Sequence, residues 1–145
     1  MEPNVEAAVT ALEEHLRAQG ATVTRLQPRE FAEARAKWRH AYRPSIGAKR
    51  WSWEEQRYDW HVFSLEHHES LEGGVATQAF QASTIHQHRF VVLSARDDVE
   101  IGLEVVAPHA IDLEALDEDW TMTTDDLSWS MSWTSDVEGP YFARP

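Results

Sequence analysis

The apolar residues Val5, Val9, Leu12 and Leu16 recur at helical spacing behind a capping Asn4, and Gly20 follows where a left-handed stop belongs. This pattern predicts an amphipathic first helix. Ala21 to Leu26, with Thr22, Val23 and Thr24, reads as a short strand. Pro28 then supplies a backbone angle suited to a first helical turn, and Phe31, Ala34, Trp38 and Tyr42 share one face of a second helix that Pro44 ends. Ser52 with Glu55 has capping-box spacing and predicts a short helix after a loop from Pro44 to Arg50. Val75, Ala76, Ala79 and Phe80, behind Gly73 and Gly74, have the spacing of a third helix.

The remaining pattern is that of strands. From Tyr58 to Leu65 the residues alternate, with apolar bulk on both faces, and a strand covered on both sides is expected. Arg89–Leu93 and Val99–Val106 predict a hairpin around "SARDD", in which Val99, Ile101, Leu103 and Val105 share a face. In "WTMTTDDLSWSMSW", residues 120–133, a turn at Asp125 and Asp126 pairs Met122 with Trp129, Trp120 with Met131, Thr121 with Ser130 and Thr123 with Ser128. A four-residue loop accommodates the same pairing. One face of this hairpin is Trp and Met, and the other carries only hydroxyls. Helices early and strands late predict one α+β domain over residues 1–145, a mostly antiparallel sheet packed against two to three helices.

Composition narrows what such a domain does. A chain of 145 residues buries roughly 68 to 70% of its unfolded surface and needs no staples. It has no cysteine, so a disulfide framework and a thiolate zinc site are excluded, and a reducing compartment is expected. The acidic start "MEPNVEAAV" does not read as a secretory signal, and the run Phe90–Leu93 is far shorter than a membrane span, so the protein is expected to be cytoplasmic with no membrane partner.

The net charge of −12 is unevenly spread: residues 1–96 hold 12 acidic and 12 basic side chains, whereas residues 97–145 hold 13 acidic and one basic, Arg144. Such a field repels phosphate backbones, so nucleic acid is not an expected ligand. A basic protein partner suits it, as does plain solubility. Arg29, Arg35, Lys37, Arg39 and Arg43 make the second helix basic on its outer side, and an economical arrangement sets that helix near the acidic third.

No complete catalytic motif accompanies these elements, and no cofactor is expected. There is no phosphate loop, dinucleotide fingerprint or nucleophile elbow. His86 and His88 have the spacing of two imidazoles on one strand face, yet nothing supplies the further ligands of a zinc site, and no metal is expected. On a strand, His61 and Ser64 would point to opposite faces and could not cooperate. Most of the seven tryptophans fall on core faces, where packing is their usual contribution.

The segments "YDWHVFSLEHHESLEGGVATQAF" and "DLSWSMSWTSDVEGPYF" resemble a bacterial family of uncharacterised proteins of about this length. Trp60, His61, Phe63 and Ser64 match an aromatic-Trp-His-x-Phe-Ser element, Ala76 and Phe80 a helix, and Trp129, Thr134, Gly139, Pro140, Tyr141 and Phe142 a C-terminal signature. Where the family pattern has Thr-His-Glu, this chain has Thr134-Ser135-Asp136. The resemblance carries no established reaction; it implies that any shared chemistry rests on His61, with Asp136 keeping the acidic position.

The expectation is a binding module that neutralises a basic partner, with Asp117, Glu118 and Asp119 in the acidic run as contacts. The alternative is a small hydrolase using His61 and Asp136 as an acid–base pair, in a pocket bordered by Trp60, Trp129 and Tyr141. His61 also reads as a packed structural histidine, and Tyr141 and Phe142 are expected to dock onto the sheet.

Overall fold

In the computed structural model, which describes residues 3–44, 51–84, 88–113, 119–134 and 139–145, the first helix, α1, runs Pro3–Ala18. It buries Val5, Val9, Leu12 and Leu16, and Gly20 follows at φ +90°, a conformation that costs glycine little. Strand β1 (Thr22–Arg25) leads to α2 (Pro28–Ala41), where Pro28 opens the first turn and the Gln27 N–H donates to Glu30 at 2.8 Å. Two one-turn helices follow, α3 (Trp53–Gln56) and α4 (His61–Ser64), then β2 (Leu71–Glu72) and α5 (Gly74–Ser83). The remaining strands are β3 (His88–Ser94), β4 (Gly102–Ala107), β5 (Trp120–Thr123), β6 (Ser130–Trp133) and β7 (Tyr141–Ala143).

Among the described residues these strands form one antiparallel sheet in the order β1-β4-β3-β5-β6-β7-β2, and the fold is α+β. Because side chains alternate along a strand, the sheet has two chemically distinct faces. One carries Phe90, Val92, Leu103, Val105, Met122, Met131 and Phe142, and forms a core with Val9, Leu12 and Leu16 of α1 and Ala76 and Phe80 of α5. The opposite face carries Val91, Leu93, Thr121, Thr123, Ser130, Ser132 and Tyr141, paired across β3, β5, β6 and β7. Here α2 and α4 supply the cover: Phe31 packs with Val91 and Leu93, and Trp38, Tyr42, Trp60, Val62 and Phe63 pack with Tyr141 and Ala143.

Two expectations are corrected by the backbone. The β5–β6 hairpin pairs Trp120 with Trp133, Thr121 with Ser132, Met122 with Met131 and Thr123 with Ser130, two residues away from the register expected of a turn at Asp125 and Asp126. The turn is longer because its own side chains close it: Thr124 donates to Asp126 at 2.6 Å, and the Ser128 N–H donates to Thr124 Oγ1 at 3.0 Å and to Asp126 at 3.1 Å. A shift of two preserves the faces, so the Trp/Met side and the hydroxyl side survive the error.

The stretch Tyr58–Leu65 is not a strand. Tyr58 makes an isolated bridge to Arg96, after which the Ser64 N–H donates to Trp60 at 3.2 Å and the Leu65 N–H to His61 at 3.0 Å, forming α4. The alternation misled because apolar bulk on both faces fits a short helix as well as a buried strand. The helix buries Trp60, Val62 and Phe63 and leaves Leu65 exposed.

Candidate functional site

The turn of α4 changes what His61 can do. Positions three apart lie on one side of a helix, and His61 Nδ1 is 3.1 Å from Ser64 Oγ, the contact that strand geometry would forbid. The Ser64 hydroxyl is also 3.4 Å from the carbonyl of His61, so it can donate either to the ring or to the backbone. The Trp60 ring lies 4.3 Å from the His61 ring and stacks on Tyr141 at 6.1 Å. Beside this corner, Ser64, Glu66, His68, Glu69, Glu72 and Tyr141 border a groove of about 500 Å³.

Trp60 thus has His61 and Tyr141 as neighbours, and of these three Tyr141 borders the groove, whereas Trp129 stands apart. It packs against Phe80, Phe90 and Phe142 in the core on the other face of the sheet, because it precedes Ser130 by one residue and the pleat sends the two in opposite directions. Asp119 is buried at the entry to β5, and its carbonyl accepts the Ala95 N–H at 3.2 Å. Asp117, Glu118 and Asp136 lie outside the described residues, as does His86.

A charged cluster sits behind α2. Arg39 donates to Asp59 at 2.8 and 3.2 Å and to Asp97 at 2.9 Å, with its guanidinium 5.4 Å from the Trp53 ring. Asp59 is almost fully buried, and burial pushes its carboxyl above the usual aspartate range against the pull of Arg39. Arg35 grips the following loop by donating to the carbonyls of Arg96, Asp97 and Val99 at 2.8, 3.1 and 2.6 Å, and burial pushes its guanidinium down. The pair Arg35 and Arg39, one helical turn apart, signals a shared face, but nothing local marks Asp59 as their partner. The cluster is a clamp joining α2, the approach to α4 and the loop after β3.

A second groove, of about 220 Å³, runs between α2 and the hydroxyl face of the sheet. Its apolar lining comes from Leu26, Ala34, Val91 and Leu127, and its carboxylates from Glu30, Glu33, Glu104 and Asp125, with Lys37 beside them. Val91 stands between Glu104 and Thr123 in the sheet, which is why residues distant in sequence meet here. Glu30 is committed to the Gln27 N–H, while Glu33 and Glu104 meet Arg29 and Arg89 only at 3.5 and 3.9 Å, in exposed pairs of the kind that contribute little.

Among the described residues no group of His, Asp and Glu has the arrangement of a metal site, and no helix is long and apolar enough to cross a membrane. The domain of unknown function DUF4275 matches residues 14–142. The chain belongs to the DUF4275 family. No curated protein and no solved structure matches it. The DUF4275 match takes in the α4 corner, the arginine clamp and the groove under α2, and it ends at Phe142 within β7.

Proposed function

We propose that this DUF4275 protein is a non-catalytic cytoplasmic module that binds a basic protein partner. The observation that carries the reading is how little of the acidic third is neutralised from within. Among the described residues, that third is met by Arg39 at Asp97, by Arg96 at Asp98 and, at 3.9 Å, by Arg89 at Glu104, while Arg35 spends its donors on carbonyls and Arg29 pairs with Glu33 of its own helix. Glu100, Asp125 and Asp126 are exposed to solvent. A field of one sign steers an oppositely charged partner and fades with salt.

Capture at low ionic strength tests this. The expected partner is rich in Lys and Arg, is released by added salt, and is lost when Glu100 and Asp125 are together changed to Lys. Capture unaffected by that reversal overturns the reading.

A hydrolase is the second reading, favoured by the 3.1 Å contact of His61 Nδ1 with Ser64 Oγ beside an open groove. The clustering of Glu66, Glu69 and Glu72 along that groove opposes an oxyanion, which ranks this reading below binding. An ester and peptide substrate screen of wild type beside His61→Ala and Ser64→Ala decides it: turnover lost in both variants would replace the binding reading.

A further inference from the structure

Resting on the binding reading, we infer that the groove between α2 and the sheet is where the partner docks, and that it takes a single lysine side chain. Three features of the groove combine to specify this occupant. Its volume of about 220 Å³ lies below the roughly 300 to 1,000 Å³ of pockets that enclose drug-sized molecules, so it admits one side chain and not a helix or a folded loop. Its lining from Leu26, Ala34, Val91 and Leu127 suits an aliphatic stem, which long cationic side chains lay along apolar surface while the head stays in polar surroundings.

The carboxylates supply the charge complement. Glu33, Glu104 and Asp125 come from α2, β4 and the β5–β6 turn, so they border the groove from separate elements. The arginines that approach Glu33 and Glu104 do so at 3.5 and 3.9 Å from exposed positions, and an incoming ammonium displaces them at small cost. Lys37 offsets one of the lining carboxylates and leaves an acidic excess. A compact ammonium with three donors on a flexible stem fits carboxylates spread around a narrow groove better than the planar fork of arginine, which favours one carboxylate met edge-on.

The test separates this inference from the reading on which it rests. Poly-lysine and a labelled glycine–lysine peptide are titrated into the full chain at low salt, beside the same peptide with its lysines acetylated or replaced by arginine. Two variants accompany wild type: Ala34→Leu, which fills the groove, and Glu33→Gln with Asp125→Asn, which keeps its shape and lowers its charge. Acetylation and the charge variant are each expected to weaken binding about tenfold, the scale of one charge-assisted contact. Ala34→Leu is expected to do the same with an unchanged circular dichroism spectrum, and arginine to bind more weakly than lysine.

Poly-lysine binding that is equal in wild type and both variants overturns the groove and leaves the basic-partner reading standing. Failure of poly-lysine to bind wild type overturns both. Equal affinity for the acetylated peptide, or tighter binding of the arginine peptide, overturns lysine as the occupant.

Discussion

The indole N–H of Trp38 donates to Ser130 Oγ at 2.8 Å, a fully buried hydrogen bond that ties α2 to the centre of the sheet's hydroxyl face. A tryptophan can lie on a polar strand face because its ring packs with Tyr42 and Phe63 while its donor finds that hydroxyl. Removing the acceptor alone strands the donor. Ser130→Ala is expected to lower stability by about 1–3 kcal/mol, the usual cost of an unsatisfied buried group. Adding Trp38→Phe should cost less than the sum of the two single changes, and urea denaturation of the four proteins measures that coupling.

Not every hydroxyl on this face is so placed. Among the described residues, Thr121 Oγ1 and Ser132 Oγ are buried without a hydrogen-bond partner, whereas Thr123 Oγ1 donates to the Trp129 carbonyl at 2.8 Å. Thr121→Val should therefore leave the melting temperature unchanged or raise it. Thr123→Val should lower stability by about 1 kcal/mol, since it alone loses a bond. The reverse order would show that Thr121 makes the more valuable contact.

Asp59 makes stability depend on pH. Burial raises its carboxyl above the usual range, so from about pH 4 upward the folded state holds this proton more tightly than the unfolded chain. Stability from this group is complete below the unfolded value and is lost as pH rises through the folded one. Asp59→Asn cannot ionise, so its stability relative to wild type should rise with pH in urea titrations across that window. A relative stability that falls instead would mean that Arg39 outweighs burial.

Deleting residues 139–145 removes Tyr141 and Phe142, both buried, from opposite faces of the sheet and takes away the strand between β6 and β2. Each buried aromatic contributes on the order of 3–5 kcal/mol, so the truncated protein should melt far lower or fail to fold. An unchanged melting temperature would refute the docking of this segment.

How legible each part was in the sequence follows from how local its cause is. Helices α1 and α2 declared themselves because apolar spacing lies within the element, as with Phe31, Trp38 and Tyr42 behind Pro28, although α1 starts at Pro3 and so takes in Asn4, the residue expected to cap it. The faces of the β5–β6 hairpin were legible and its register was not, since Thr124, Asp126 and Ser128 close a longer turn through side chains. Tyr58 to Leu65 failed because Trp60, Val62 and Phe63 are all buried, which erases periodicity. At the candidate site, the neighbours Trp60, His61 and Tyr141 were anticipated, but Trp129 was lost to the pleat. The contacts of Arg39 with Asp59 and Asp97 join residues 20 and 58 apart, and no local pattern encodes them.

The strand order also dictates when the molecule can become itself. Strand β2, made about 70 residues before β7, has β7 as its only neighbour in the sheet among the described residues, and the aromatic corner of Trp60 and Phe63 closes on Tyr141. At roughly 5 to 20 residues per second on the ribosome, the α4 corner waits seconds for the strand that completes it. By contrast β1, β3 and β4 can pair as soon as Ala107 has emerged. The nascent chain is thus half-built for an interval, with the rings of Trp60 and Phe63 lacking Tyr141. Apolar surface that waits in this way is open to aggregation until its strand arrives, a hazard that the stability of the finished fold does not measure.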